Sequence, residues 1–354
     1  MAELAKSVIN SDFLSASQSP SREFSLMAWR LFAGSDAEWD RAIAQLHNSS
    51  PYQTSSWARF REPEGWSSIR MVTADHAGLV QFLYRSKWGL RVAWAPGGPL
   101  GDISTEALDD LLVFLRQQVP GVLTYARIAD FAADTPSRHD RYLHSGWQRP
   151  RRRLSSGQTL TRSLVINTDT FRDTYTKNWT RNLRRGEERG ISASVWNSPL
   201  PAEIARLHAY VAETKGISTS DWRIKPLRLK HLLECFQNQL IIVRAVDSNG
   251  ITHAVRGAVI CGDTGFDFLA ATSSDGRKTY ASNVALHHLL EVLARRGVVT
   301  YDFGGVDPTN NKGVYDFKHG AGGHELSYVG EFETSHPRSI RQTLSTLIAL
   351  RMPV

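Results

Sequence analysis

The stretch Tyr301-Asp-Phe-Gly-Gly-Val-Asp-Pro-Thr-Asn-Asn-Lys-Gly-Val-Tyr-Asp-Phe-Lys-His-Gly-Ala-Gly-Gly323 decides how the rest of the chain is read. The run from Val298 to Phe303 predicts a short buried strand, which breaks at Gly304-Gly305 into a polar loop through Asp307-Pro308 and Asn310-Asn311. A second ordered segment then carries Phe317-Lys318. One cation framed by a strand end, a glycine pair, a loop and a glycine-rich exit points to a charge held at the floor of a cleft. The plain alternative is a solvated lysine on a surface loop.

Upstream of this stretch, Leu286, Leu289, Leu290 and Leu293 predict a helix near 283–296, preceded by strands near 239–246, 253–262 and 265–271 and by helices near 201–214 and 225–238. The first half runs in the same order. Ser35 and Glu38 form a capping box ahead of Trp39, Ile43 and Leu46 at helical spacing. Strands follow near 68–74, 79–85 and 89–95, then a helix near 104–118 capped by Ser104 and carrying Leu108, Leu111, Leu112 and Leu115, then a strand near 122–129. The repeated order implies an internal duplication of an α+β or mixed α/β lobe, with Tyr301–Gly323 at the end of the second copy. The expected division is a tail over 1–24, a first lobe over 25–160, a second over 161–333 and a C-terminal helix over 334–354 packing on the first lobe.

The segment between the copies is strongly basic. Residues 146–190 hold eleven Arg/Lys against four Asp/Glu, an excess equal to the net charge of +7 of the 354-residue chain. This suggests an anionic partner docking there: nucleic acid, a phosphorylated substrate or an acidic membrane surface. A helix is expected from about Thr170 to Arg189, with Phe171, Tyr175, Trp179 and Leu183 as a buried stripe. On an adjacent face Lys177, Arg181, Arg184 and Arg185 form a row that could track phosphates, or simply a solvated basic face. In the first copy, Trp57 and Arg61 stand four apart, which on a helix sets an indole beside a guanidinium.

Cys235 and Cys261 lack metal-ligand spacing and are expected to be buried thiols in a reducing compartment. With no apolar run of membrane-span length and no signal-like h-region, the expectation is a soluble, cytoplasmic protein. The sequence has no G-x-S-x-G, no G-x-x-x-x-G-K-[ST], no H-E-x-x-H and no dinucleotide-binding glycine fingerprint. Of His287 and His288, one should pack while the other is solvated. Asp130 and Asp302 each end a predicted strand, as turn residues or as proton acceptors.

Together these motifs resemble the FemABX family of aminoacyl-tRNA-dependent aminoacyltransferases, closest to its FemX-like branch. The resemblance covers roughly residues 35–333 and rests on Tyr52-Gln-Thr-Ser-Ser-Trp57, Pro96-Gly-Gly-Pro99, Phe171 to Gly190, Ala212-Glu-Thr214, and above all Tyr301-Asp-Phe-Gly-Gly with Phe317-Lys318. It implies two lobes similar to GCN5-related N-acetyltransferases. The implied reaction takes an amino acid from the 3′ end of a tRNA, the co-substrate, to a primary amine on a peptidoglycan-precursor-like or peptide acceptor, nucleotide-linked or lipid-linked, with no further cofactor and no metal. It places Phe317 and Lys318 at the reaction centre, with Asp130 where an acidic residue occurs only approximately. Trp57, Arg61, Arg181, Arg184, Arg185, Arg223, Asp302 and Tyr280 become substrate-binding candidates. The chain lacks the heptad hairpin of relatives that act on a lipid-linked precursor. Two rival readings are an acyl-CoA-dependent N-acyltransferase and a non-catalytic RNA- or polysaccharide-binding protein. Against the first, Arg277-Lys-Thr-Tyr280-Ala-Ser282 carries a tyrosine where a pyrophosphate-cradling turn needs glycine.

Overall fold

A computed structural model describes residues 28–165, 168–215 and 222–351; the expected tail over 1–24 lies outside the described residues. The chain divides into two compact units, one formed by residues up to Gly157 together with those from Ser327 onward, the other by Gln158–Leu326. The first unit begins with β1 (Trp29–Leu31), α1 (Asp36–Ala44), α2 (Ser55–Arg61), β2 (Ser67–Thr73), β3 (Gly78–Lys87), β4 (Leu90–Pro96), β5 (Leu100–Gly101), α3 (Thr105–Gln118), β6 (Leu123–Ala133) and α4 (Pro136–His144). The second unit holds β7 (Gln158–Ser163), α5 (Lys177–Glu188), β8 (Ser192–Val195), α6 (Pro201–Lys215), α7 (Pro226–Cys235), β9 (Leu240–Val246), β10 (Thr252–Cys261) and β11 (Thr264–Thr272). It continues through α8 (Ser274–Lys278), α9 (Ala281–Arg295), β12 (Thr300–Gly305) and α10 (Lys312–Gly320). The chain then re-enters the first unit through β13 (His324–His336) and α11 (Arg341–Arg351).

The duplication is visible in the pairing. In the first unit the sheet order is β1-β2-β3-β4-β6-β13, antiparallel except for β4 beside β6, which the crossover helix α3 connects in parallel. In the second the order is β7-β12-β11-β10-β9-β8, again antiparallel except for β11 beside β12, connected through α9. A parallel pair demands a long crossover, and a helix with one apolar face supplies it while covering the sheet. The leucines of the two patterned helices do this: Leu108, Leu111 and Leu115 lie in the first core, and Leu286, Leu289, Leu290 and Leu293 in the second.

One difference between the two parallel pairs matters for function. β4 and β6 stay in register over seven pairs, from Leu90↔Leu123 to Pro96↔Ala129. β11 and β12 pair over only three, Thr264↔Thr300 to Phe266↔Asp302, although both strands run on. Past Asp302, β12 no longer pairs with β11, and its register against β7 shifts before resuming at Gly305↔Thr159, so the main chain at Phe303 and Gly304 leaves both ladders and other groups must satisfy it.

Three expectations need correction. The helix expected from Thr170 to Arg189 is a 3-10 segment, Thr168–Thr174, followed by α5, because Thr176 stops the first and caps the second by accepting from Trp179 N. The apolar stripe survives the break, since Phe171, Tyr175, Trp179 and Leu183 are all buried in one core. The arginine run before β7 is largely a clasp within the first unit. Arg149 donates to the carbonyls of Val329 and Glu331 and covers the Phe332 ring at 4.0 Å, while Arg151 reaches Thr346 and Arg152 reaches the Ala349 carbonyl. Finally, β13 pairs with β6, Tyr328↔Ala133 to His336↔Thr124, so residues 327–333, expected in the second lobe, belong to the first unit. At its centre the buried Glu331 accepts from Arg127, Ser155 and the Leu154 main chain. Elsewhere the Ser35–Glu38 capping box and the Ser104 cap form as read. Cys235 and Cys261 are free thiols, with Cys261 buried. Among the described residues no helix is long and apolar enough to cross a membrane.

Candidate active site

In the second unit, just past the point where β11 and β12 part, the Gly304 and Gly305 carbonyls are taken by one cation. Lys318 Nζ donates to Gly304 O at 3.1 Å and Gly305 O at 2.9 Å, and the side chain is 8% exposed. The ammonium is held at the strand end by geometry that a glycine pair permits, Gly304 having φ +71°. Asp302 fixes the turn: Oδ1 accepts from Thr159 Oγ1 at 2.5 Å and from Gly304 N at 2.7 Å, and the residue is 5% exposed. Asp302 is thus a buried turn clamp rather than an open substrate contact.

Beneath Lys318 lies a buried polar cluster that the sequence reading missed. Arg256 Nη1 pairs with Asp267 Oδ2 at 3.0 Å, Arg256 Nη2 donates to Ser282 Oγ at 3.1 Å, and the guanidinium covers the Phe317 ring at 4.9 Å. Burial pushes the Asp267 carboxyl above its usual value, against the pull of Arg256 and then Lys318. Burial, and next the Asp267 charge, push the Tyr301 hydroxyl well above the ordinary phenol range. Tyr301 faces Asp267 without closing a well-formed hydrogen bond, and Asp267 Oδ1, Arg256 Nε and Tyr301 OH are buried polar atoms without a hydrogen-bond partner. Buried ionisable groups with perturbed titration beside a fixed cation are of the kind that concentrates at functional sites. The available signal was a single arginine within β10 and a single aspartate within the mostly apolar β11, but only the fold places Arg256, Asp267 and Lys318 together.

Helix α10, which carries Phe317 and Lys318, packs on α5. The Phe317 ring lies 6.0 Å from Trp179, and a Cβ at Gly320 would fall 3.0 Å from Trp179 Cδ1, so glycine is needed for the approach. The outer face of α5 exposes Lys177, Arg181, Arg184 and Arg185. Arg181 meets Asn178, Arg184 meets Glu188 at 3.2 Å and Arg185 reaches Tyr280 OH at 3.5 Å. Tyr280 takes the left-handed backbone at the start of α9 (φ 58°) and its ring underlies Arg189 at 5.1 Å. Tyr280 thus stands at the N-terminus of α9, directly after α8. Arg223 lies half-buried in the 3-10 turn Trp222–Ile224.

In the first unit, Trp57 and Arg61 do meet, the guanidinium lying 5.4 Å from the ring centroid while also pairing with Glu64 at 2.7 Å. Tyr52 abuts Trp57 edge-on at 4.9 Å and Phe131 at 6.0 Å, and Phe131 stacks on Tyr328 at 4.8 Å. This aromatic row was not legible in the sequence, because Tyr328 enters from β13. The two early motifs lock together: buried Gln53 donates to Pro96 O and Gln81 O, and a Cβ on Gly98 would strike Gln53. Asp130 is fully buried and fully engaged, accepting from Arg138 Nε and Tyr142 OH at 2.7 Å each and from Ala132 N at 2.9 Å. It braces α4 against β6, and is withdrawn as a proton acceptor for substrate. His287 is buried, facing Tyr175 OH at 2.9 Å and Glu291 at 3.3 Å, while His288 is partly exposed; no cluster of metal-ligating side chains occurs among the described residues.

Two mixed sheets with one parallel crossover pair each define a tandem GCN5-related N-acetyltransferase fold. The tandem protein of that type from the clavulanic acid biosynthesis pathway aligns with a TM-score of 0.53 at 10% identity, over 87% of this chain and 98% of its own. A stronger match is the crystal structure of FemX, with a TM-score of 0.77 at 15% identity over 90% of this chain and 99% of that one. No curated protein sequence matches the chain. Residues 229–348, which include β9 to β13 and Phe317-Lys318, match the sequence profile of the FemAB family. The chain is thus similar to the FemAB family in sequence over residues 229–348 and to FemX in fold along most of its length.

Proposed function

We propose that the chain is an aminoacyltransferase that moves an amino acid from an aminoacyl-tRNA to a primary amine of a peptidoglycan-precursor-like acceptor. The observation that carries this reading is Lys318, held on the Gly304 and Gly305 carbonyls where β11 and β12 part, in the segment with the FemAB profile. The neutral amine attacks the ester carbonyl, an oxyanion develops, and collapse expels the ribose oxygen, which takes up the proton the amine nitrogen gives up as the amide forms. A fixed ammonium stabilises that oxyanion more than it does the neutral ester, so it lowers the barrier. Alignment supplies the rest, because aminolysis of an activated ester gains most from holding amine and carbonyl together. The cations of α5 fit the phosphates of a tRNA end, and the Arg61–Trp57 pair with Tyr52 fits the charged and planar parts of a nucleotide-linked acceptor. The deciding experiment offers charged tRNA pools or acetyl-CoA to the protein with candidate amines and reads the mass added. An aminoacyl increment that requires charged tRNA supports the reading; an acetyl increment overturns it.

A further inference from the structure

Where β3 turns into β4, the tip Lys87-Trp88-Gly89 holds Trp88 in the left-handed backbone (φ 51°) and leaves it 92% exposed. Beside it, the connection from α3 to β6 presents Val122 and Leu123, which are 75% and 39% exposed. The two tips are fastened to each other. The main-chain N–H groups of Val122 and Leu123 both donate to Gly89 O, at 2.8 and 3.0 Å, and Ser86 Oγ donates to Pro120 O at 2.7 Å. The strands behind them are in register at Leu90↔Leu123. Three apolar side chains are thus presented together from a braced edge, where a single exposed apolar residue would call for no explanation.

The two segments that form this edge carry charge of one sign. Residues 85–91 and 116–123 contain Arg85, Lys87, Arg91 and Arg116 and no Asp or Glu. Arg91 is buried behind the patch, donating to Thr124 and the Gly121 carbonyl, and Arg85 covers the Trp66 ring at 4.4 Å and donates to the Glu64 carbonyl, whereas Lys87 is exposed with Nζ 4.3 Å over the Trp88 ring. Tryptophan is favoured at a membrane interface, where its ring sits among headgroups and its N–H stays hydrated. Lysine and arginine bury their stems and leave the charge at the level of lipid phosphates. A nucleic acid would find no base-stacking use for Val122 and Leu123, and a protein partner would have to neutralise the cations.

We propose that this edge of the first unit is a docking surface for an anionic lipid bilayer, with Trp88, Val122 and Leu123 entering the headgroup region and Lys87 facing lipid phosphates. The contact is peripheral and does not depend on the reaction assigned above. It is tested by flotation of the full chain with vesicles of phosphatidylcholine alone or with about one third phosphatidylglycerol, at two salt concentrations. The expected result is binding to the anionic vesicles only, weakened by salt, and reduced about tenfold or more by the double substitution Trp88→Ser with Val122→Ser. Lys87→Glu, which leaves the apolar groups in place, should also weaken it several-fold. An unchanged melting temperature shows that the variants fold. The proposal is overturned if the wild type floats with neither vesicle, or if both variants float as well as the wild type. It is overturned equally if the patch proves to mediate lipid-free self-association, or RNA binding that the same substitutions abolish.

Discussion

Replacing Lys318 by Met separates catalysis from folding at one side chain. The stem keeps its volume, but the ammonium and its two hydrogen bonds, to Gly304 O and Gly305 O at 3.1 and 2.9 Å, are lost. A buried carbonyl left unsatisfied costs about 1–3 kcal/mol. Here Gly305 is exposed and Gly304 partly so, and water can reach both carbonyls, which puts the cost near the lower end. For a unit of this size, about 1 kcal/mol lowers the melting temperature by only about 2–4 °C. Loss of an oxyanion-stabilising charge is larger, about 10²–10³ in kcat, or roughly 2.7–4 kcal/mol. Removing Lys318 also takes a favourable charge from buried Asp267, although Arg256, its stronger partner, remains. The assay is transfer from charged tRNA to the acceptor amine with kcat and KM measured separately, alongside a thermal melt. A drop in kcat of a hundredfold with a shift of a few degrees is expected. Full kcat in a folded protein would refute the assignment, and so would a loss confined to KM.

The joint substitution of Arg181, Arg184 and Arg185 by Gln should weaken tRNA binding and reduce the slope of log K against log salt by roughly 2, since each phosphate contact contributes about 0.7–0.9; binding isotherms across a salt series measure it. Asp130→Asn should destabilise the first unit by roughly 3 kcal/mol or more, because it strands the buried Arg138 guanidinium, while kcat per folded molecule stays near wild type; calorimetry with active-site-normalised rates distinguishes this from a catalytic role. Burial holds both His287 and His288 below the ordinary imidazole value, so the unfolded chain takes up protons first. Stability is therefore full above about pH 6.5 and declines as pH falls from there towards the depressed folded values, and His287→Gln should flatten that decline in a pH series of melts.

Much of the fold was legible because its signals are local. The Ser35–Glu38 box, the Ser104 cap and the leucine spacing of α3 and α9 act within a few residues, and their repeated order disclosed the duplication. Of the site, Phe317-Lys318, Gly304-Gly305 and the Trp57–Arg61 pair could be read for the same reason: each works at turn or i, i+4 distance. The sequence misjudged groups whose meaning depends on distant partners. Asp130 looked like an open strand-end carboxylate until Arg138 and Tyr142 closed on it. Arg149–Arg153 looked like a docking surface until β13 and α11 returned beneath it.

By itself, then, the sequence determined that two similar lobes would form and that one cation would stand at the end of a glycine-broken strand. Tertiary structure alone decided which unit opens: β4 and β6 stay paired over seven residues, while β11 and β12 part after Asp302, just before the carbonyls that hold Lys318. Strand pairing between residues dozens apart has no local code, because either register satisfies the same periodicity of two until packing and the glycine turn select one. The same is true of the Arg256–Asp267–Tyr301 cluster, whose members are unremarkable in their own strands and acquire perturbed chemistry only when burial brings them under one ammonium.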